Sequence, residues 1–314
     1  MKTSDVIAAY LAARRSQGTE LSSSERVLYR LARQTGDGEF DAITTEELTL
    51  FLHGPGELSR TWLNKHSLLT NLYRFAVTRG YAQINALPQR KPKLPSVHPA
   101  YIYSTAEVQR LVVAAASLCN PKSPLQGPTY RMLLLLMYGA ALRVSEAMGL
   151  QLRDVDLQTA ILTIRETKFY KTRLVPIGPR LAQELSHYLG QRTHLPMKQG
   201  QESAVLCSKT GHHLWYQDVV TLFQHIRHDA GIGIPAGASR APRMHDLRHT
   251  AAMHRLVRWY EQGLNVNILL PKLSTYMGHS GLTSTQRYLH MTPDLLTQAN
   301  RRFAAYAEQG GGHA

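Results

Sequence analysis

The stretch Met277-Gly278-His279-Ser280-Gly281-Leu282-Thr283-Ser284-Thr285-Gln286-Arg287-Tyr288-Leu289-His290 has the wrong composition for a packing helix. A Gly-His pair and a polar turn lead into a tyrosine flanked by Arg287 and His290. That setting suits a nucleophile. A phenol of pKa about 10 attacks well only when a base takes its proton or cations favour the phenolate. Both kinds of helper occur upstream. His245-Asp246-Leu247-Arg248 sets an imidazole and a guanidinium three residues apart at a helix start, hence on one face. Arg143 closes an apolar stretch where a core residue would be expected. Guanidiniums at Arg143 and Arg248 could hold the non-bridging oxygens of a phosphodiester transition state through bidentate, charge-assisted bonds. Lys168 and Lys171 lie in a polar segment between two strand-like runs, where an ammonium could protonate a departing oxygen. The chemistry these residue types suggest is phosphoryl transfer to a tyrosine.

The charge balance points the same way. Thirty-six Lys and Arg against 22 Asp and Glu leave a formal +14 and a pI near 9.9, the footprint of a protein that neutralises phosphates. Nucleic acid is the expected partner, against the plainer alternative of a basic protein with no polyanion ligand. Cys119 and Cys207 are far apart with no Cys-x-x-Cys, which indicates neither a disulfide framework nor a thiolate zinc site. His212-His213 and the pair His249 and His254 lack convincing third and fourth ligands. No metal is therefore expected, the arginines supplying the charge neutralisation a cation would give. No run approaches the roughly 20 apolar residues of a membrane span, and Met1 to Arg15 lacks a signal-type apolar core. A cytoplasmic, nucleoid-associated protein is expected.

The elements that must position these residues fall into two domains, as about one domain per 150 residues would give for a 314-residue chain. The first is expected over 1–85 as four helices. They run from Ser4 to Arg14, from Ser23-Ser24-Glu25, from Thr44-Thr45-Glu46-Glu47, and from about Glu57 to Thr78 with Gly80 closing the last. That last helix carries Arg60, Lys65, His66, Arg74 and Arg79 beside an apolar face, so one side can bury while the other meets phosphates. Residues 86–100, with four prolines and the cations Arg90, Lys91 and Lys93, form an extended basic linker.

The second domain, over 101–314, starts on the capping sequence Ser104-Thr105-Ala106-Glu107. Tyr130 to Leu142 reads as a buried central helix that delivers Arg143. The runs Ala160 to Ile164 and Arg173 to Ile177 pair as a hairpin around Arg165 to Thr172. Helices are expected over Pro179 to Leu189, Asp218 to Ala230, His245 to Gln262 and Pro271 to Met277, with Gly231 to Ala241 as a loop. Thr292-Pro293-Asp294 starts a tail helix over 292–309. The expected fold class is mainly α: a small helical domain, then a larger α+β domain with a small antiparallel sheet.

Taken in order, Arg143, Lys168, His245-x-x-Arg248, His279 and Tyr288 resemble the tyrosine recombinase (phage integrase) family, including the Xer-like site-specific recombinases. The matching stretches are Ala141-Leu142-Arg143-Val144-Ser145-Glu146, Lys168-Phe169-Tyr170-Lys171-Thr172-Arg173-Leu174-Val175-Pro176, His245-Asp246-Leu247-Arg248-His249-Thr250, Met277-Gly278-His279-Ser280 and Thr285-Gln286-Arg287-Tyr288. The resemblance covers the second domain in detail and the first in size and kind. It implies a SAM-like, four-helix core-binding domain whose Arg60, Lys65, Arg74 and Arg79 contact DNA together with Arg90, Lys91 and Lys93 of the linker. It implies a catalytic domain in which His245 is the base, His279 a donor to the phosphate and Tyr288 the nucleophile. Lys168 is then the acid, with Lys171 as fallback, and Glu146 orients Arg143 or His245. Phe169-Tyr170 departs from the family's commoner small, Gly-rich hairpin tip.

The activity implied is site-specific recombination without metal, ATP or other cofactor. Tyr288 forms a 3′-phosphotyrosyl bond, frees a 5′-hydroxyl, and strands exchange through a Holliday junction. The implied partners are double-stranded DNA carrying a specific site and four copies of the chain in a tetrameric synapse joined by the tail. There is room for a partner recombinase or accessory DNA-bending proteins. The link from Ser280 to Thr285 becomes a candidate switch through which subunit contacts admit the nucleophile. Two other readings stay open on the residues alone: topoisomerase IB-like relaxation of DNA, and a non-catalytic architectural DNA-binding protein.

Overall fold

The computed structural model describes residues 1–17, 22–55, 58–93, 99–119, 126–167, 171–279, 281 and 283–286. Lys168, Tyr288 and the expected tail helix over 292–309 lie outside the described residues, as does the start expected for the fourth helix near Glu57. The chain is mainly helical with one small antiparallel sheet, and it divides into two compact units, one ending at His98 and the next beginning at Pro99.

The first unit holds α1 (Thr3–Ser16), α2 (Ser22–Gln34), α3 (Thr45–His53) and α4 (Arg60–Thr78). Helix α3 opens on a capping box between Thr44 and Glu47, and α4 on Ser59, whose hydroxyl accepts from the Thr61 N–H. The apolar stripes meet in a core that includes Ile7, Leu31, Phe51, Trp62, Leu69 and Leu72. Two sequence expectations change here. Lys65 turns inward: its Nζ donates to the Phe51 carbonyl at 2.7 Å and sits 4.8 Å from the Phe51 ring centroid. Burial, helped by the Arg30 charge, holds its pKa below the ordinary lysine value. It therefore satisfies an orphan carbonyl in the last turn of α3. The linker expected from residue 86 is packed at its start, with Leu87 buried and the Pro88 carbonyl 3.1 Å from His66 Nε2. Arg60, Arg74, Arg79, Arg90, Lys91 and Lys93 are exposed.

In the second unit α5 (Thr105–Ala116) starts on a capping box between Ser104 and Glu107. Helix α6 (Gln126–Gly139) packs against α5, α8 (Pro179–Arg192) and α10 (Asp246–Glu261), and being covered on several sides explains its almost unbroken apolar sequence. The apolar run outlasts the helix. Ala141 sits in the left-handed region at φ 50°, and a short α7 (Val144–Met148) begins after Arg143. A three-stranded antiparallel sheet follows in the order β1 (Val155–Asp156), β2 (Ile161–Thr167), β3 (Lys171–Pro176). Leu162 lies opposite Val175 and Ile164 opposite Arg173.

Helix α9 (Tyr216–Asp229) starts slightly before the expected Asp218. Helix α11 (Val266–Met277) differs more from expectation, since it contains Pro271 instead of starting there. The Asn265 side chain caps it, and Val266 and Leu270 are buried beside Leu273 and Met277. That burial carries the first turn although proline removes an intrahelical N–H. A single turn, α12 (Thr283–Gln286), follows. Among the described residues no helix is long and apolar enough to cross a membrane.

Candidate active site

The C-terminus of α11 is the anchor of the site. Gly278 adopts φ 65°, its N–H returns to the Thr275 carbonyl at 2.9 Å, and the His279 N–H returns to Ser274 at 3.0 Å. A left-handed cap of this kind leaves the final carbonyls needing partners. Three successive carbonyls each accept from a different arginine. Arg173 Nε donates to Tyr276 at 3.1 Å, Arg248 to Met277, and Arg143 Nη2 to Gly278 at 2.8 Å. Cations are favoured at this negative end of the helix dipole. They arrive from separate elements: Arg143 from the turn before α7, Arg173 from β3, and Arg248 from the first turn of α10. Arg248 also donates to the carbonyl of Ala141, the residue held at positive φ.

One carboxylate stands among the three guanidiniums. Glu146 Oε1 accepts from Arg143 Nη1 at 2.6 Å and Arg173 Nη1 at 2.9 Å, while Oε2 accepts from Arg173 Nη2 and the Arg143 N–H, both at 2.8 Å. Arg248 Nη1 is 3.6 Å from Oε2. Burial alone would push the carboxyl pKa up. The bidentate Arg173 and the Arg143 contacts outweigh it and pull the pKa down to about 2, so Glu146 is charged at neutral pH.

His245 occupies the N-cap position of α10, with its ring edge-on to His249 at 5.0 Å between centroids. Its pKa lies below the ordinary histidine value because of burial first, then the Arg248, Arg243 and Arg143 charges, with Asp246 opposing. A neutral imidazole beside cations can accept a proton. His279 follows the Gly278 cap, and its Nδ1 is 2.7 Å from Oγ1 of the fully buried Thr285.

The fold thus brings Arg143, Glu146, Arg248, His245 and His279 into one region from stretches more than a hundred residues apart. Lys168 and Tyr288 lie outside the described residues, and so does the Lys171 side chain, although Lys171 begins β3. Arg173 was not among the expected site residues. A signal for it existed: along β3 the exposed Leu174 alternates with the fully buried Val175, so period two places Arg173 on the Val175 side. A charged residue facing inward on a strand needs a partner, and Glu146 is that partner. Gly278 also has a specific reason. A Cβ there would lie 2.7 Å from Arg173 Nη1 and 2.9 Å from its Cζ. Among the described residues no group of three or more His, Cys, Asp or Glu is placed to hold a metal, and His254 Nδ1 instead lies 2.8 Å from the Tyr138 hydroxyl.

This combination of a helical unit and a cation cluster gathered at a helix end coincides with a family match. Residues 104–294 match the phage integrase family, and the chain belongs to that family, the tyrosine recombinases. Its enzyme class is that of site-specific recombinases, which cleave and rejoin DNA. A putative integrase/recombinase, y4rB, from Sinorhizobium fredii is 34% identical over 300 residues, covering 93% of this chain and 94% of the relative. Tyrosine recombinase XerC of Oceanobacillus iheyensis is 30% identical over 273 residues, covering 85% and 83%. Among solved structures, the Tn1549 transposon integrase in complex with a circular intermediate DNA has a TM-score of 0.67 at 17% identity, over 95% of this chain and 99% of that one. A lambda integrase tetramer bound to a Holliday junction gives 0.62 at 17% identity, over 90% and 79%. At such identity these structures speak to the fold.

Proposed function

We propose that Arg143 and Arg248 hold the non-bridging oxygens of a scissile DNA phosphate and that Tyr288 attacks its phosphorus. The tyrosyl oxygen bonds to phosphorus, the phenolic proton passes to His245, and the bond from phosphorus to the 5′-oxygen breaks. Lys168, or Lys171 in its place, gives the 5′-oxygen a proton, and His279 donates to the phosphate. The 3′-phosphotyrosyl bond conserves the energy of the phosphodiester, so a partner strand's 5′-hydroxyl can reverse the step without ATP. The observation that carries this reading is the gathering of three guanidiniums around one carboxylate at the α11 terminus beside an imidazole kept neutral. A site with that surplus of fixed positive charge favours the extra negative charge of a phosphoryl-transfer transition state.

The first unit serves, in this reading, as the core-binding domain. Arg60, Arg74 and Arg79, with Arg90, Lys91 and Lys93 beyond it, contact the phosphates of double-stranded DNA. Lys65 is left out because its ammonium is held by Phe51. Four copies assemble in the synapse, with residues 292–309 of each docking on a neighbour. The test is a nicked duplex carrying the chain's own crossover site, found by sequencing the DNA junctions that flank the gene. The expected product is an SDS-resistant protein–DNA adduct that forms in EDTA and is absent with Tyr288→Phe. Wild-type protein that binds the site and yields no adduct would end the catalytic assignment.

A further inference from the structure

We infer that Arg173 is a positioning residue of the site: it neutralises Glu146, so that this carboxylate can orient Arg143 without consuming the charge of Arg143 or of Arg248, whose Nη1 lies 3.6 Å from it. The inference rests on the recombinase reading above and deepens it. Glu146 is needed where it is, since it fixes Arg143 by both side chain and backbone. A buried carboxylate next to two phosphate-binding guanidiniums would also compete with the phosphate for them. Arg173 resolves that conflict. Its two terminal nitrogens lie on the two carboxylate oxygens at 2.9 and 2.8 Å, and its Nε is spent on the Tyr276 carbonyl. Its side chain is only 10% exposed, against 33% for Arg143. The Arg173 guanidinium is therefore committed along all its edges to Glu146 and α11, and Arg143 is the more exposed of the two partners of Glu146.

Charge accounting separates this role from mere packing. With Arg173 the pair Arg143 and Arg248 keeps close to two positive charges for the phosphate, and without it they share one negative neighbour. The consequence is specific to a charged substrate. A methylphosphonate at the scissile position has lost one negative oxygen, so it should be far less sensitive to Arg173.

The experiment measures single-turnover adduct formation on nicked duplexes with either a normal phosphodiester or a methylphosphonate at the crossover position. It compares wild type, Arg173→Gln, Arg173→Lys and the double variant Arg173→Gln/Glu146→Gln. Arg173→Gln should slow the phosphodiester reaction by about tenfold, less than the roughly 100-fold that losing a direct oxyanion donor costs. It should change the methylphosphonate rate by less than about threefold. The ratio of the two rates within one preparation is independent of how much protein has folded. Arg173→Lys, which keeps the charge, should give an intermediate ratio, and it carries the test if Arg173→Gln does not fold. Removing the uncompensated carboxylate in the double variant should recover part of the phosphodiester rate. Equal losses on both substrates, or a double variant no faster than Arg173→Gln, would overturn the positioning role. A wild-type protein forming no adduct on the phosphodiester would instead overturn the recombinase reading on which it rests.

Discussion

Replacing Gly278 by alanine should damage the second unit by far more than a backbone preference alone. The residue has φ 65°, and holding alanine in the left-handed region costs about 1–2 kcal/mol. The added Cβ would also stand 2.7 Å from Arg173 Nη1 and 2.9 Å from its Cζ. A free arginine tip would move aside at little cost. This one is fastened to both oxygens of Glu146 and to the Tyr276 carbonyl. Displacing it weakens charge-assisted bonds of about 1.5–3 kcal/mol each, which brings the expected loss to roughly 3–5 kcal/mol. For a unit of this size that corresponds to a fall in Tm on the order of 10 °C, read by circular dichroism on the full chain. Gly278→Asn provides the control. Asparagine tolerates positive φ better but carries the same Cβ, so it should be nearly as damaging as alanine. In an Arg173→Ala background, Gly278→Ala should cost only the backbone part. A loss near 1 kcal/mol for Gly278→Ala, or full additivity with Arg173→Ala, would refute the claim that Arg173 is fixed in place.

Other outcomes follow from the same geometry. The Glu146 pKa in the folded chain is about 2, below its unfolded value, so its contribution is present above about pH 4.5 and lost as pH falls toward 2. Acid titration of stability should show Glu146→Gln losing roughly 3 kcal/mol less than wild type across that window. Because the His245 pKa is depressed, the acid limb of the adduct-forming rate should lie below pH 6.5, and Arg243→Gln, which removes one depressing charge, should move it upward. In salt titrations of DNA binding, Arg74→Gln should reduce the slope of log K against log salt by about one. Lys65→Gln should leave that slope unchanged and lower the first unit's stability by about 1 kcal/mol, since Lys65 satisfies a carbonyl in that unit.

Much of the architecture could be read from local signals. The capping sequences at Thr44 and Ser104 start helices where their hydroxyl and carboxylate spacing says they should, and the apolar run at 130–142 does mark the central helix. What local sequence could not supply was the partner across space. Lys65 looked like a phosphate contact because cations on long helices usually face water, yet Phe51, on another helix, claims it. Pro271 looked like a helix start because its N–H is missing, and the burial of Val266 that overrides this is a tertiary effect. In the site, Arg143 stood out because it closes an apolar run, and His245 and Arg248 because they lie three residues apart at a helix start. Arg173 did not, because its peculiarity depends on which face of β3 is covered. The Met277-Gly278 pair was legible as a motif but not as a cause. That its carbonyls take up two arginines follows only from the packing of α10 and the α6–α7 turn around the end of α11.

The bond between His279 Nδ1 and the Thr285 hydroxyl acts as a leash on the part of the chain that follows. Thr285 precedes Tyr288 by three residues, and three residues span at most about 10 Å of extended chain. While the hydroxyl stays on the histidine, that reach is measured from a point fixed at His279. Carrying residue 288 further from His279 breaks that bond, exposing a fully buried threonine and freeing the length of chain back to Gly278. On the reading proposed above, the reach of Tyr288 is thus a matter of tether length, set at Thr285.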